Sequence, residues 1–328
     1  MRSFAANALT LLIVVGVLAA GVVLWGVRQV EGPGPLAETA TVLVPRGANL
    51  TRVSETLERQ GVIGSATLFR LAARYRGQEN ALRYGEYRVE ARATPLKVLD
   101  LLTSGRTIQY PVTVAEGLTS WEVVELLNAS DVLTGEIAAV PPEGTLAPDT
   151  YLVQRGDDRA ELIARMTALQ SRRLADAWAA RKDGLTLQSP EELLILASVI
   201  EKETGIPDER GVVSAVFHNR LKRGMRLQSD PTIIYGLTEG KGPLGRGLRR
   251  SEIDRATRWN TYAIDGLPAT PIANPGAEAL VAAALPDESD ALYFVADGNG
   301  GHVFATTLAE HNRNVAAWRA LERQRAQQ

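Results

Sequence analysis

Apolar residues along this chain fall into three kinds of run, and each predicts a different element. The first is unbroken: Phe4 to Val27 contains no charged residue, and Leu9 to Val27 is dense in Leu, Val, Ile, Ala and Gly. The second alternates with polar positions. Ala40 to Val44 and Gly85 to Val89 have the period of two expected of strands, as do Tyr293 to Val295 and Val303-Phe304, joined by a tight turn at Gly298 to Gly301. The third recurs at helical spacing. It predicts helices over Leu50 to Arg59, from Thr94-Pro95 through Leu102 with Gly105 as the stop, and over Glu310 to Arg325. It also predicts Arg159 to Lys182, with Leu162, Ile163, Met166, Leu169, Leu174 and Trp178 inward, and Arg210 to Arg223, with Val212, Val213, Val216, Phe217 and Leu221 inward.

The unbroken run is long enough to cross a bilayer core of ~30 Å as a helix, with Trp25 at one interface. A cleaved signal peptide is the competing reading, but its apolar region is normally about 7–15 residues. An uncleaved anchor is therefore expected: residues 1–6 as a short cytoplasmic tail, 7–28 as the transmembrane segment and 29–38 as a linker broken by Gly32-Pro-Gly-Pro35. Arg2 and Arg28 balance each other across the span, so charge leaves the orientation open. Beyond the linker, a strand, a Gly turn, a helix and a short apolar stop occur twice. Val42, Val44, Gly47, Val53, Glu55, Leu57 and Val62 match Val112, Val114, Gly117, Val123, Glu125, Leu127 and Val132. Two copies are too few for a solenoid and indicate duplication of a small αβ unit. The expected fold class is α+β, with helices around short sheets.

The helix over Glu192–Thr204 carries the sharpest chemical signal. Ser189 is placed as its N-cap, Pro190 at its first position, and Glu192 where it can close a capping box. At 100° per residue, Leu196, Val199 and Ile200 stack behind Glu203, whereas Glu201 faces Leu194, Ala197 and Ser198. Glu203 is thus the carboxyl expected to be buried. Desolvation raises the pKa of such a group, so that it can hold a proton near neutral pH and act as a general acid. Pairing with an arginine, or capping a neighbouring element, is the alternative role.

Composition narrows the choices. A net charge of −2 gives no support for nucleic-acid binding, and zero cysteines exclude disulfides, thiolate chemistry and Cys-type zinc sites. His218, His302 and His311 form no i, i+4 metal pair, there is no HExxH, and no cofactor site is indicated. No Gly-x-Ser-x-Gly elbow occurs. Gly240, Gly242 and Gly245 formally space a dinucleotide fingerprint, but with Pro243 inside it and no apolar strand before it; a mobile surface loop is expected. Asn, Gln, Asp, Thr and Tyr crowd the Pro/Gly-rich turns at Arg226–Thr232, Asn260–Tyr262 and Pro271–Gly276. That suits a sugar-binding groove, but composition alone favours plain turn chemistry. His302, after the Gly turn, is either a pocket residue or a surface histidine.

Several segments in order resemble the YceG-like family of endolytic murein transglycosylases. They are Ala197-Ser-Val-Ile-Glu-Lys-Glu-Thr204, Val216-Phe-His-Asn-Arg-Leu221, Gly224-Met-Arg-Leu-Gln-Ser-Asp-Pro-Thr-Ile-Ile-Tyr-Gly236, Asn260-Thr-Tyr262, Gly266-Leu-Pro268, Ile272-Ala-Asn-Pro-Gly276 and Tyr293–Gly298 through His302. The resemblance covers nearly the whole chain. It implies a LysM-like module over 39–108, a YceG-like catalytic domain over 109–328, and a single-pass inner-membrane protein with its catalytic part periplasmic. The implied reaction is lytic cleavage of the MurNAc–GlcNAc β-1,4 bond within nascent peptidoglycan, leaving 1,6-anhydro-MurNAc ends near penicillin-binding synthases. The family's catalytic glutamate falls on Glu203. Gln228, Asp230, Thr232, Tyr235, Asn260, Tyr262, Asn274 and His302 are the expected substrate-binding residues. One departure is Ala147, where the family often has an aromatic before Pro148-Asp-Thr-Tyr151. The rival readings are a glycan-binding scaffold without activity and a cytosolic hydrolase tethered to the membrane.

Overall fold

Helix signals in the sequence are met by real caps. Asn49, Ser65, Thr94, Thr119, Asp158 and Ser189 each accept a backbone N–H of the helix they open. A computed structural model describes residues 2–325, with side chains described from residue 7 onward. The architecture is α+β, with four two-stranded sheets among the described residues.

The first helix, α1 (Arg2–Glu31), is apolar from Asn7 onward and long enough to cross a membrane. It begins inside the tail expected over 1–6, of which Met1 lies outside the described residues. It ends at Gly32, whose N–H returns to the Arg28 carbonyl, so it runs three residues into the expected linker.

The chain forms two compact units. One comprises residues 1–110 and 152–157, the other 111–151 and 158–328. In the first, β1 (Ala40–Val44) is followed by α2 (Leu50–Arg59), α3 (Ala66–Tyr75), β2 (Gly85–Val89) and α4 (Pro95–Ser104). Strands β1 and β2 pair antiparallel, Val42 opposite Tyr87. Their inward residues meet Val53, Leu57, Phe69, Val98, Leu99 and Leu102 in one core. Helix α3 was not expected; its Ser65 cap and the buried Phe69 and Ala73 face define it.

The second unit opens with the repeated plan: β3 (Tyr110–Val114), then α5 (Ser120–Asn128). The short strands β4 (Leu133–Thr134), β5 (Asp149–Val153) and β6 (Asp157–Asp158) follow, then α6 (Arg159–Ala179), α7 (Pro190–Glu203), α8 (Pro207–Lys222), α9 (Asp230–Thr238), α10 (Arg250–Ile253), α11 (Ala277–Ala284), β7 (Tyr293–Ala296), β8 (His302–Ala305) and α12 (Leu308–Arg325). The β7–β8 hairpin places Phe294 opposite Phe304. Helices α9, α10 and α11 are too short to show a helical period, and the turn residues ahead of them obscured them.

Helix α7 is the centre of this unit. Leu193, Leu194, Leu196, Ala197, Ser198, Val199 and Ile200 are all buried, packed among residues of α6, α8 and α11. Burial on several sides explains why its periodicity is weak by itself. The expected capping box is half formed. Ser189 accepts the Glu192 N–H, but the Glu192 carboxylate takes the N–H of Gln188, one residue earlier. Helix α8 begins at Pro207, three residues before the expected start, because proline suits the first helical position.

Candidate active site

The end of α7 is set by Thr204, whose extended backbone stops the helix and whose hydroxyl contacts Glu209 Oε2 at 3.3 Å. Pro207 then turns the chain into α8. This leaves Glu203 on the last helical turn, half-buried, with Leu196, Val199 and Ile200 wholly buried behind it. Its Oε1 accepts a 2.5 Å hydrogen bond from Ser229 Oγ, 26 residues downstream. Burial pushes the Glu203 carboxyl up to about 7, and the negative charge of Asp230 adds to this. The Ser229 hydroxyl, His302 and Arg220 act the other way, because they favour the anion. A carboxyl so placed is partly protonated at neutral pH and can both give and take a proton.

Ser229 was not among the expected residues, yet it is the group that touches Glu203. It is 1% exposed and occupies the N-cap position of α9, where its hydroxyl makes no capping bond and is left for Glu203. Its N–H donates to Thr261 Oγ1 at 3.0 Å, and its carbonyl accepts from Thr232 Oγ1 at 2.6 Å. The preceding Gln228 has φ +53, a left-handed conformation that non-glycine residues rarely adopt. Strain of this kind persists only where the surrounding structure holds it. Here the Gln228 N–H to the Thr261 carbonyl, 3.1 Å, holds it. Chain distance hid Ser229; the only local signal was its place before Asp230-Pro231 as an N-cap.

The expected groove residues divide into two groups. Tyr262 donates its hydroxyl to Asp230 Oδ1 at 2.7 Å, and both carry charge or burial that reaches Glu203. His302 is half-buried and fixed by Glu209, which takes its Nδ1 at 2.7 Å and its backbone N–H at 2.8 Å. Gln228 is exposed at the mouth of the Ser229 turn. Asp230, Tyr262 and His302 thus lie within electrostatic reach of Glu203, and Gln228 is linked to it only through the adjoining Ser229.

Thr232, Asn260 and Asn274 are wholly buried. Thr232 braces Ser229 and Thr261. Asn260 donates to the carbonyls of Ile253 and Arg255 at 2.8 and 2.7 Å. Asn274 accepts the Leu146 N–H at 2.9 Å and donates to the Leu118 carbonyl at 3.0 Å. Their polar atoms are spent on backbone groups, so they shape loops and line no open groove. Tyr235 lies between: its ring meets Trp259 edge-on and its hydroxyl donates to Glu143 at 3.2 Å. Ala147 is wholly buried as well. An aromatic at that position would point into the core, not onto a sugar.

Helix α8 supplies the frame. His218 meets the Ala283 carbonyl, Asn219 donates to the Ser289 and Ala291 carbonyls, and Arg220 donates to those of Leu292 and Leu227. Arg220 thus ties the β7 hairpin and the Ser229 turn to one guanidinium. The second glutamate of α7, Glu201, is also half-buried. Its Oε2 accepts the Gly276 N–H at 2.9 Å, at the start of α11. Burial raises its pKa as well, opposed by that N–H. The glycine turn of the second repeat packs here: Lys202 Nζ donates to the Gly117 carbonyl at 3.1 Å, and the Gly117 N–H reaches the Asn274 carbonyl at 3.0 Å.

Comparison with known proteins places this chain in a family. An endolytic murein transglycosylase of Bacillus subtilis (strain 168) is 29% identical over 307 residues, covering 84% of this chain and 83% of the relative. One of Streptococcus pneumoniae serotype 2 (strain D39 / NCTC 7466) is 29% identical over 325 residues, and the match spans 58% of that longer protein. A crystal structure of a YceG-like protein from Listeria monocytogenes superimposes with a TM-score of 0.53 at 27% identity, covering 84% of this chain and 98% of the other. The model of the YceG-like family matches residues 42–317, which include Glu203, Ser229, Tyr262 and His302, and the chain belongs to that family.

Proposed function

We propose that this protein is a membrane-anchored endolytic peptidoglycan lytic transglycosylase that cleaves the MurNAc–GlcNAc β-1,4 bond within nascent glycan strands. The observation that carries the reading is Glu203. Its carboxyl is poised near pH 7, one oxygen is held by Ser229, and no described residue hydrogen-bonds the other. The murein transglycosylases of similar sequence supply the substrate class.

The chemistry needs one carboxyl. Hydrolytic glycosidases use an acid and a second carboxylate as nucleophile or base. Here Glu203 protonates the glycosidic oxygen as the C1–O bond breaks and an oxocarbenium-like centre develops. The carboxylate left behind takes the proton of the sugar's own C6 hydroxyl, whose oxygen bonds to C1. Glu203 is protonated again, no water is consumed, and the product ends in 1,6-anhydro-MurNAc. Asp230, at the mouth of the site, places negative charge where a cationic centre forms.

Helix α1 is the anchor in this reading, and the catalytic unit lies on the outer, cell-wall side of the membrane, where the substrate is. The β1–α2–α3–β2 plan of the first unit supports a LysM-like glycan-holding module over 39–108, followed by the catalytic domain over 109–328. Cleavage there would end strand growth beside penicillin-binding synthases, which are the expected partners. The test is mass analysis of the products from purified sacculi or nascent glycan. Anhydro-muropeptides from the native chain and none from Glu203→Gln are expected; reducing-end products, or full activity in the variant, refute it.

A further inference from the structure

Beside the site, the second unit has a cleft of ≈ 470 Å³ that no step of the glycosidic chemistry uses. Pro231, Ile234, Tyr235 and Thr238 line it from one face of α9, at the i, i+3, i+4 and i+7 positions. Leu244 and its glycine-rich neighbours form the opposite wall. That loop was expected to be a mobile surface segment. Residues 241–250 do lie at the surface, and the loop's start is fixed: the buried Gly240 has φ +71, and its carbonyl accepts the Thr119 hydroxyl at 2.6 Å. A Cβ at Gly240 would come within 3.0 Å of the Tyr235 ring and 3.2 Å of Thr119, so glycine is required there.

The walls carry one charge of each sign available to a ligand. Lys202 is exposed; its ammonium donates to the Gly117 carbonyl, and its charge is also felt by Glu201. Glu122 uses one carboxylate oxygen to cap α5, at 2.9 Å from the Thr119 N–H. The third charge, Arg246, is already neutralised by both oxygens of Glu252. An apolar floor with a cation and an anion on its walls matches a short peptide that carries a free carboxylate and a free amine. The cleft also sits at the right place. Two of its lining residues adjoin the acid machinery in sequence, Lys202 beside Glu203 and Pro231 beside Asp230.

We propose that the cleft lined by Lys202, Glu122, Ile234 and Leu244 receives the peptide substituent of the glycan, so that the enzyme reads the stem as well as the sugar. This rests on the peptidoglycan reading above. The carboxylate end of the stem pairs with Lys202, and side-chain amines face Glu122.

The experiment compares kcat/KM of the full chain in detergent on uncross-linked glycan bearing peptide stems and on the same glycan stripped by an amidase. The native protein is expected to prefer the stem-bearing strand by about tenfold or more, the worth of one good charged contact. Lys202→Ala, at an exposed position, and Leu244→Arg, which fills the cleft from the loop, are each expected to bring that ratio close to one. A ratio unchanged in both variants overturns the proposal, as does a native ratio of one. A second measurement needs no turnover. A muramyl peptide with a photoreactive group at its peptide end, applied to Glu203→Gln, should label the cleft walls, at Lys202, at 119–122 or within 231–246; labelling elsewhere overturns it. If the native protein cleaves neither glycan, the catalytic reading fails, while the labelling still decides whether the cleft holds peptide.

Discussion

On one side of the last turn of α7, Glu203 gives an oxygen to the Ser229 hydroxyl and leaves its other oxygen open; on the other side, Glu201 accepts the N–H that opens α11. Both carboxyls are half-buried and both are raised by desolvation. Their surroundings differ in kind. Glu201 is wedged among Gly276, Glu116, Arg210 and Lys202, and its partner is a helix N-terminus that favours a fixed anion. Glu203 faces a hydroxyl that can turn and the charges of Asp230, Arg220 and His302. Burial raises a pKa wherever it occurs. Each carboxyl leaves its second oxygen without a hydrogen bond among the described residues, so the contrast lies in what holds the first: a backbone N–H fixed at a helix start for Glu201, a serine hydroxyl for Glu203.

The largest test of that contrast is catalytic. Glu203→Gln should lower kcat by about 10²–10⁴, the usual contribution of a general acid, whereas Glu201→Gln should keep activity within about tenfold; scoring anhydro ends by mass checks both. Equal losses would erase the distinction.

Stability should move the opposite way. A carboxyl raised from 4.5 to about 7 binds a proton more tightly folded than unfolded, so ionising it costs the fold. The cost is absent below pH ~4.5, grows between the two values and is complete above ~7, where it reaches about 3 kcal/mol. Glu203→Gln should therefore raise the denaturant midpoint above pH 7 and leave it unchanged below pH ~4.5. A variant that is less stable at pH 8 would contradict the burial argument.

Ser229→Ala should then sharpen the picture. Its hydroxyl favours the Glu203 anion, so its loss raises the Glu203 pKa and shifts the alkaline limb of the kcat/KM profile upward by about one pH unit. A structural role alone would lower activity without moving the limb, and Ser229→Thr should restore it.

The smallest effect is expected on the Glu201 side. A Cβ at Gly276 would collide with the Glu116 carboxylate. That side chain is flexible and 44% exposed, so Gly276→Ala should displace it from Arg210 at a cost of about 1 kcal/mol or less, with activity retained. Thermal unfolding and the product assay together check this.

The two strand–turn–helix copies show the same division on a larger scale. Gly47 and Gly117 have φ of +74 and +76, and the buried valines of both strands alternate alike. Around Gly47 a Cβ would meet nothing within 4 Å, whereas at Gly117 it would touch Glu201 and Lys202 at 3.6 Å. The local plan was legible from valine spacing and one glycine because both are short-range constraints. What each turn rests against was not legible, because that depends on which distant element arrives there. Thr232, Asn260 and Asn274 illustrate the same limit. Each stands beside a turn, as a sugar ligand would, and each is buried against backbone groups. Composition counts donors and acceptors but does not tell which way they face.

The sequence by itself determined the membrane-length helix, the cap and stop of α7 and the order of its apolar faces, and it pointed to Glu203 before Glu201. Those follow from residue period, capping chemistry and apolar length, which act within a few turns of chain. Only the tertiary structure decided that Ser229 holds Glu203, that Arg220 ties the hairpin to the Ser229 turn, and that the glycine-rich loop walls a cleft. These contacts join residues brought together by burial of α7 among α6, α8 and α11, and a helix surrounded by core keeps in its own sequence no record of which neighbour meets each face.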